Sequence, residues 1–313
     1  MARAQFPDEQ VEGQFRRQED AFRRRIRADG RAEFPVQPGR YHLYVSLACP
    51  WACRTVIVRK LKHLEDAIGM TVVDPVRDER GWAFRDGPGY SRDPLNDWAF
   101  LSEAYFASDP GYRGRVTVPV LWDKSTRTIV SNSDDDVMRM LETEFDAIGD
   151  RGALDLYPRE HRDEIEALNE WIYETLNNGV YKAGFATSQQ AYETAAYEVF
   201  ETLDKMEARL ETRRYLVAGW PVETDWRAFV TLIRFDAVYH GHFKCNLRRI
   251  VDYPNLWGYL RDLYQYDGVA ETVDFDHIKR HYYYTHDELN PTRIVPIGPQ
   301  LDLTAPHGRE SLR

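Results

Sequence analysis

The chain changes its secondary-structure pattern near its middle, and this change constrains the fold more than any other feature of the sequence. Short runs rich in β-branched and aromatic residues predict strands at 41–45, 70–73, 116–122 and 128–130. From about Leu156 onward strand patterns nearly vanish, and apolar residues recur at helical spacing instead. The order predicts a small α/β domain followed by an all-helical domain.

The length of the chain fits two domains, because 313 residues exceed one average domain and can bury sizeable cores. We place an N-terminal extension at 1–38, an α/β domain at 39–150, an all-helical domain at 151–285 and a C-terminal strap at 286–313. A long polar insertion at 74–114 interrupts the α/β domain. Repeated prolines predict that the strap is irregular.

Composition argues against several classes of function. The formal net charge of −10 disfavours general nucleic-acid binding, because phosphate contacts need a basic surface. No apolar run could span a bilayer, and residues 1–6 lack the apolar stretch of a signal peptide, so we expect a cytoplasmic protein without membrane partners. His240 and His242 flank a glycine without a matching ligand pair nearby, so no metal site is predicted.

Cys49 directly precedes Pro50, and the two residues mark a turn from the first predicted strand into a helix. Proline suits the first position of a helix, where its missing N–H costs nothing. The unpaired N–H groups and the positive dipole end of a first turn stabilise a thiolate, so we expect the pKa of Cys49 below the ~8.5 of a free thiol. A thiolate can attack the sulfur of a disulfide or thioether. The alternative is that Cys49 is a small, buried apolar residue.

The other two cysteines have weaker patterns. Three cysteines are too few for a disulfide framework. Cys53 lies four residues after Cys49, a spacing that differs from the redox motif Cys-x-x-Cys. We expect Cys53 to be a packing residue, with a resolving role as the alternative, and Cys245 to be structural.

Pro119 lies inside a β-rich run, between Val118 and Val120. Proline in such a run is normally confined to an edge strand or a special bond. If the bond between Val118 and Pro119 is cis, the backbone groups of Val118 turn toward Cys49, where they would pair with the backbone of a cysteine-containing ligand. The alternative is an ordinary edge-strand proline.

Together these motifs resemble the xi-class glutathione transferases, also called glutathionyl-hydroquinone reductases. The strand is followed by Cys-Pro-Trp-Ala at 49–52 and later by Thr-Val-Pro-Val-Leu-Trp-Asp at 117–123. The most specific stretches are Asn-Gly-Val-Tyr-Lys-Ala-Gly-Phe-Ala at 178–186, Thr-Leu-Ile-Arg-Phe-Asp-Ala-Val-Tyr at 231–239, Phe-Lys-Cys-Asn at 243–246 and Asn-Pro-Thr at 290–292. The resemblance implies a thioredoxin-like N-terminal domain, a helical C-terminal domain and a homodimer.

The resemblance also implies which residues form the site. Cys49 corresponds to the catalytic cysteine, and Trp82 resembles the tryptophan that packs on the bound thiol. Arg115 and Val118 fall in the thiol-binding strand region. The tyrosines that line the quinol pocket correspond to Tyr181, Tyr239 and Tyr282. For each tyrosine taken alone, core packing is the alternative.

The implied reaction uses a small thiol and needs no metal or redox coenzyme. The Cys49 thiolate attacks the sulfur of a thiol–hydroquinone conjugate, which forms a mixed disulfide and releases the hydroquinone, and a second thiol then frees the enzyme. Tyrosine hydroxyls would protonate or stabilise the leaving aromatic group. Two other functions stay open: an omega-like thiol transferase that acts on mixed disulfides or dehydroascorbate, and a non-catalytic protein that binds aromatic metabolites.

The chain departs from the family where the amino-acid end of glutathione is held. The family has Glu-Ser after Ser-Asn, and this chain has Ser133 and Asp134 there. An ionised Asp134 would repel the carboxylate of glutathione. Either Asp134 caps the following helix and glutathione binds in a shifted pose, or the thiol is mycothiol, a cysteinyl glucosaminyl-inositol whose hydroxyls would donate to Asp134. Cys53 also stands where the family usually has a histidine.

Overall fold

A computed structural model of the protein describes residues 9–30, 32–149 and 153–312. These residues form two compact units. The first, here called the sheet unit, comprises Glu19–Asp155 and Glu271–His281, and the second, the helical unit, comprises the chain up to Gln18, Leu156–Ala270 and the chain from Tyr282 onward. The boundaries placed after residues 38, 150 and 285 stay predictions, because each unit combines separate stretches of chain. The predicted lack of an export signal concerns residues 1–6, which lie outside the described ranges.

Four strands of two residues each come first in the described chain, strands and helices are then mixed as far as the helix Asp134–Thr143, and helices follow. The strands are β1 (Gln10–Val11), β2 (Gln14–Phe15), β3 (Ile26–Arg27), β4 (Phe34–Pro35), β5 (Tyr41–Val45), β6 (Ile68–Val72), β7 (Val120–Asp123) and β8 (Thr128–Ser131). The helices are α1 (Pro50–Leu61), α2 (Ser102–Ser108), α3 (Asp134–Thr143), α4 (Arg162–Ile172), α5 (Gly179–Gly184), α6 (Gln189–Leu210), α7 (Glu223–Arg234), α8 (Pro254–Tyr264) and α9 (Phe275–Thr285). The described chain thus confirms an α/β arrangement followed by an all-helical one.

The sheet unit is built on a mixed sheet of four strands in the order β6-β5-β7-β8. β5 pairs in parallel with β6 and antiparallel with β7, and all five of its residues are buried. Helix α1 connects β5 to β6, as a crossover between parallel strands requires, and it packs against α3 and β5. The strand predicted at 41–45 and the helix start at Pro50 are confirmed.

Two strand predictions need correction. β6 begins at Ile68, two residues before the predicted start. β7 begins only at Val120, although the apolar run starts at Val116. The reason is Pro119, which has no N–H to donate into the ladder, so regular pairing starts after it.

The insertion at 74–114 is more ordered than its polar composition indicates. It contains α2, whose Ala104 and Tyr105 are buried. The Tyr105 hydroxyl donates to the carbonyl oxygen of Thr117 at 2.9 Å. The insertion is therefore fastened directly to the segment that leads into Pro119.

The helical unit surrounds α7, in which all twelve residues are buried. Asp225 fixes the start of this helix, because its carboxylate accepts from the N–H of Leu216 at 2.9 Å, the N–H of Val222 at 2.8 Å and the hydroxyl of Tyr259 at 2.7 Å. Burial raises the pKa of Asp225 to about 6. The tail at 286–312 consists of turns and irregular segments, as predicted. Within the part of the chain that the structure describes, no helix is long and apolar enough to cross a membrane.

Candidate active site

Cys49 is the residue that immediately precedes α1. Its backbone is extended, with φ −77° and ψ 120°, and Pro50 follows at the start of the helix. Its carbonyl oxygen accepts from the N–H of Cys53 at 2.9 Å, which closes the first turn. The thiol therefore lies at the N-terminus of a twelve-residue helix, a position that favours a thiolate. It is partly exposed, so the alternative of a fully buried apolar residue does not hold.

Cys53 and Cys245 are both buried. The Cys53 sulfur lies 3.5 Å from the carbonyl oxygen of Thr272, inside the sheet unit. Burial raises the pKa of Cys245 to about 12, so this thiol stays protonated at neutral pH. Neither environment resembles the helix terminus that surrounds Cys49, and the packing role predicted for both residues stays a prediction.

Val118 meets Cys49, as the sequence predicts for a cis bond. The peptide bond between Val118 and Pro119 is cis. The carbonyl oxygen of Val118 lies 3.7 Å from the Cys49 sulfur, within the range of an S–H···O contact. β7, which starts just after Pro119, lies between β5 and β8, so the alternative of an edge-strand proline is wrong.

The start of α3 carries the two residues that depart from the family pattern. Ser133 is the N-cap, and its hydroxyl oxygen accepts from the N–H of Asp136 at 3.4 Å. The idea that Asp134 caps the helix is therefore wrong, because a residue inside the first turn cannot also be the N-cap. Asp134 instead accepts from the Arg54 guanidinium at 2.8 Å.

Sequence reasoning missed Arg54, which lies in α1 five residues after Cys49. Its side chain is fully buried, and its guanidinium carbon lies 4.7 Å from the centre of the Trp51 ring. It also approaches the carboxylate of Asp135 at 3.6 Å. Arg54 thus joins the helix that follows Cys49 to the start of α3. The available signal was that Arg54 is the one charged residue among the first nine residues of α1.

Trp82 and Arg115 both lie in the sheet unit. Trp82 is buried and stacks on His281, with ring centroids 4.9 Å apart and planes 22° apart. His281 is held by the carbonyl oxygen of Pro75, 2.8 Å from its Nδ1. Arg115 is half-buried, and its carbonyl oxygen accepts from the Tyr112 hydroxyl at 2.5 Å. The thiol-binding roles of Trp82 and Arg115 stay predictions.

In the helical unit, the three predicted tyrosines form one hydrogen-bonded cluster. The Tyr282 hydroxyl bonds to the hydroxyls of Tyr181 and Tyr239, the latter at 3.0 Å. All three side chains are buried, and Phe243 packs against each of the rings. Burial holds the pKa values of Tyr239 and Tyr282 well above the ordinary 10, so both hydroxyls keep their protons at neutral pH.

Two π-helices place two of these tyrosines. The first spans Tyr173–Asn177 and precedes Tyr181, and the second spans Phe235–Tyr239 and ends at Tyr239 itself. Each π-turn adds one residue to the helix and so rotates the next turn of the chain, a device that is frequent at functional sites. Periodicity alone does not reveal such insertions.

Gly184 brings the Tyr181 helix close to Phe243. A Cβ at this position would overlap the Phe243 ring, so no larger residue fits without movement. Gly184, the second glycine in the motif at 178–186, thus has a packing reason. It lets Phe243 reach the tyrosine cluster.

Among residues 9–30, 32–149 and 153–312, no three His, Cys, Asp or Glu side chains cluster in a way that could hold a metal ion. The candidate residues instead offer a thiol at a helix terminus in one unit and a set of hydrogen-bonded phenols in the other.

Comparison with known proteins gives the same assignment. A family model described as glutathione S-transferase, N-terminal domain, matches residues 48–144, and one described as glutathione S-transferase, C-terminal domain, matches residues 189–262. The glutathionyl-hydroquinone reductase YqjG of Escherichia coli is 53% identical over 305 residues, which cover 95% of this chain and 93% of that protein.

Solved structures agree. The glutathione-bound structure of YqjG matches with a TM-score of 0.90 at 52% identity, covering 93% of this chain and 96% of the other. The glutathione-S-transferase Xi of Phanerochaete chrysosporium matches with a TM-score of 0.88 at 50% identity, covering 91% and 97%. These matches confirm the thioredoxin-like N-terminal domain and the helical C-terminal domain of the glutathione transferase fold. The chain therefore belongs to the xi-class glutathione transferase and glutathionyl-hydroquinone reductase family.

Proposed function

We propose that this protein reduces thiol-conjugated hydroquinones through a mixed disulfide on Cys49. The observation that carries the proposal is the position of the Cys49 thiol, partly exposed at the N-terminus of α1 and 3.7 Å from the Val118 carbonyl oxygen. A helix terminus stabilises a thiolate, and a thiolate is the nucleophile in exchange at sulfur. The family relation to YqjG, named a glutathionyl-hydroquinone reductase, supports the same reaction.

The reaction proceeds in two exchanges. The Cys49 thiolate attacks the sulfur of the conjugate, a sulfur–sulfur bond forms, and the bond between sulfur and the aromatic carbon breaks with its electron pair left on the carbon. A proton completes the hydroquinone. A second thiolate then attacks the mixed disulfide, releases Cys49 and leaves the thiol as its disulfide. The conjugate is reduced by two electrons, and two thiols are oxidised to one disulfide.

We assign the proton to the cluster of Tyr181, Tyr239 and Tyr282. Burial raises the pKa values of Tyr239 and Tyr282 well above 10, so these phenols are protonated and can donate at neutral pH. A positioned acid typically contributes about 10²–10⁴-fold to a rate. The hydrogen bonds within the cluster support a shared role, since a donor that loses its proton is stabilised by its neighbours.

The thiol half of the substrate is assigned to the sheet unit. The backbone of Val118 would pair with the cysteine backbone of the thiol, and Trp82 would pack on the thiol. Arg115, which lies in the same strand region as Val118, would also bind the thiol. Ser133 and Asp134 would face the end of the thiol far from its sulfur. Trp82 is already held in a fixed orientation by its stack on His281, which supports a preformed contact surface.

The acidic first turn of α3 supports mycothiol over glutathione as the thiol. Asp134 is paired with Arg54, which offsets its charge, so the support comes from its oxygens as hydrogen-bond acceptors. Asp135 adds a second carboxylate, which is half exposed. An ionised carboxylate has no donor to offer a ligand carboxylate, whereas it accepts readily from hydroxyls. A thiol that ends in sugar hydroxyls therefore fits this turn better than the amino-acid end of glutathione.

The direct test is an assay of the pure protein on menadiol conjugates of glutathione and of mycothiol. Release of menadiol together with thiol disulfide is the expected result. Faster turnover of small mixed disulfides or dehydroascorbate would favour the omega-like transferase, and binding without turnover would favour a non-catalytic binding protein. We also propose that the protein is a homodimer, as the resemblance implies, and that it is cytoplasmic, as the sequence composition favours. Light scattering on the purified protein tests the dimer.

A further inference from the structure

The N-terminal hairpin formed by β1 and β2 is fastened to the Tyr181 region of the helical unit. Gly13 turns the hairpin with φ +84°, and its carbonyl oxygen accepts from the N–H of Thr187 at 3.1 Å. Gln10 donates to the carbonyl oxygen of Phe185 at 3.2 Å, and the Phe15 ring lies 5.3 Å from the Phe185 ring. The residues that come after Phe15 are therefore held at a defined place.

From this position the side chain of Arg17 reaches the tyrosine cluster. Its guanidinium carbon lies 5.0 Å from the centre of the Tyr181 ring, within the range of a cation–π contact. Its Nε donates to the Oδ1 of Asn178 at 3.3 Å, and this bond orients the guanidinium. Asn178 directly precedes α5, the helix that carries Tyr181. The contact is fixed at both ends, by the hairpin and by Asn178.

We propose that Arg17 is a positioning residue for the proton-donating step, in which it acts through Tyr181. The inference rests on the proposed function. When the bond between sulfur and the aromatic carbon breaks, the electron pair on carbon takes a proton from the cluster, and the negative charge moves to a tyrosine oxygen. A phenolate ring is richer in electrons than a phenol ring, so a cation over its face is attracted more strongly after proton transfer than before. Arg17 therefore stabilises the step more than the ground state.

The size of the effect is limited by solvent. Arg17 borders an open groove of about 560 Å³, and its side chain is half-buried. A partly solvated cation–π contact is modest in strength, so we expect a change of about five- to ten-fold in rate. Arg16 borders the same groove but is exposed, and it provides a matched control for the general loss of positive charge.

The test measures the rate of hydroquinone release in a single turnover at saturating conjugate, together with the Kd of the conjugate. Arg17→Met, which keeps an apolar stem and removes the charge, should slow release about five- to ten-fold with an unchanged Kd. Arg17→Lys should retain most of the rate because it keeps the cation. Arg16→Met should release hydroquinone at the unmodified rate. In a Tyr181→Phe background, Arg17→Met should have no further effect, since the hydroxyl through which it acts is gone.

Several outcomes would overturn the inference. An unchanged rate in Arg17→Met, or the same fold-loss with and without the Tyr181 hydroxyl, would show that Arg17 does not act through Tyr181. Equal losses in Arg17→Met and Arg17→Lys with a lowered Tm would assign Arg17 to folding. If Tyr181→Phe released hydroquinone at the unmodified rate, Tyr181 would have no part in the proposed function, and the inference would fail with it. If Tyr181→Phe slowed the release and Arg17→Met did not, only the inference would be rejected.

Discussion

The two groups of candidate residues are built in different ways. In the sheet unit, the chemistry of Cys49 is set by the backbone of one strand-to-helix turn. In the helical unit, the hydroxyls of Tyr181 and Tyr282 meet although 101 positions separate them in the sequence. A helix terminus tolerates many changes in side chains, but a buried hydroxyl cluster depends on the packing of every segment that forms it. We therefore expect the reaction to depend sharply on one atom of the sheet unit and in a graded way on the helical unit.

The largest expected effect tests the sharp dependence on the Cys49 sulfur. Cys49→Ser should lower the rate of conjugate reduction at least about 10³-fold, because a serine hydroxyl is a far weaker nucleophile toward sulfur than a thiolate. The measurement is steady-state release of menadiol. Cys53→Ser and Cys245→Ser are matched controls that should keep most of the activity. A Cys49→Ser protein with most of its activity would mean that the mechanism is wrong.

Tyr282, which bonds to both of the other tyrosines, tests the graded dependence expected of the helical unit. Tyr282→Phe should slow hydroquinone release about 10²-fold, because it removes the hydroxyl that both neighbours bond to. Tyr181→Phe and Tyr239→Phe each remove one of the two bonds and should cost less. Tyr253→Phe, which changes a tyrosine bonded to Asp204 in the same unit, is the control. If all three cluster variants released hydroquinone as fast as the control variant and the unmodified protein, the three tyrosines would be core packing residues only.

Acid should destabilise both units in part through a buried histidine in each. Burial lowers the pKa values of His42 in the sheet unit and His242 in the helical unit to about 4, from an ordinary 6.5. Since the folded pKa lies below the unfolded one, the stabilisation is full above pH 6.5 and is lost as the pH falls toward 4. Each histidine should cost about 2 kcal/mol of unfolding free energy between about pH 7.5 and pH 5.

Urea unfolding at the two pH values measures this loss. His42→Gln and His242→Gln should each lose about 2 kcal/mol less than the unmodified protein on going to about pH 5. His63→Asn, a change at an exposed histidine, should lose as much as the unmodified protein. If one of the two variants lost as much stability as the unmodified protein, its histidine would not contribute to the acid response.

The smallest expected effect concerns the thiol. Mycothiol conjugates should have a higher kcat/KM than glutathione conjugates, and Ser133→Glu with Asp134→Ser should move the preference toward glutathione by about 10-fold, roughly one charge-assisted hydrogen bond. Asp135→Ser, which removes a half-exposed acid from the same turn, is the control for charge alone. Equal or better turnover with glutathione in the unmodified protein would contradict the mycothiol proposal.

Prediction from sequence succeeded better for residues that are neighbours in the chain than for residues that only the fold brings together. The turn at Cys49 could be predicted because strand, cysteine and proline are neighbours in the sequence. The ion pair between Arg54 and Asp134 could not be, since 80 positions separate the two residues and only the fold joins them. The tyrosines were found through the family resemblance, but periodicity did not reveal the π-helices that aim two of them. The start of β7 was misplaced because an apolar run does not show where a proline interrupts pairing.

The hydrogen bonds of the tyrosine cluster have no fixed direction. In the bond between Tyr181 and Tyr282 and in the bond between Tyr239 and Tyr282, either hydroxyl can be the donor. Rotation of a hydroxyl group about its C–O bond therefore reverses a bond without movement of any heavy atom. In the proposed reaction, the same three side chains would then offer a proton to hydroquinones whose ring oxygens are placed differently.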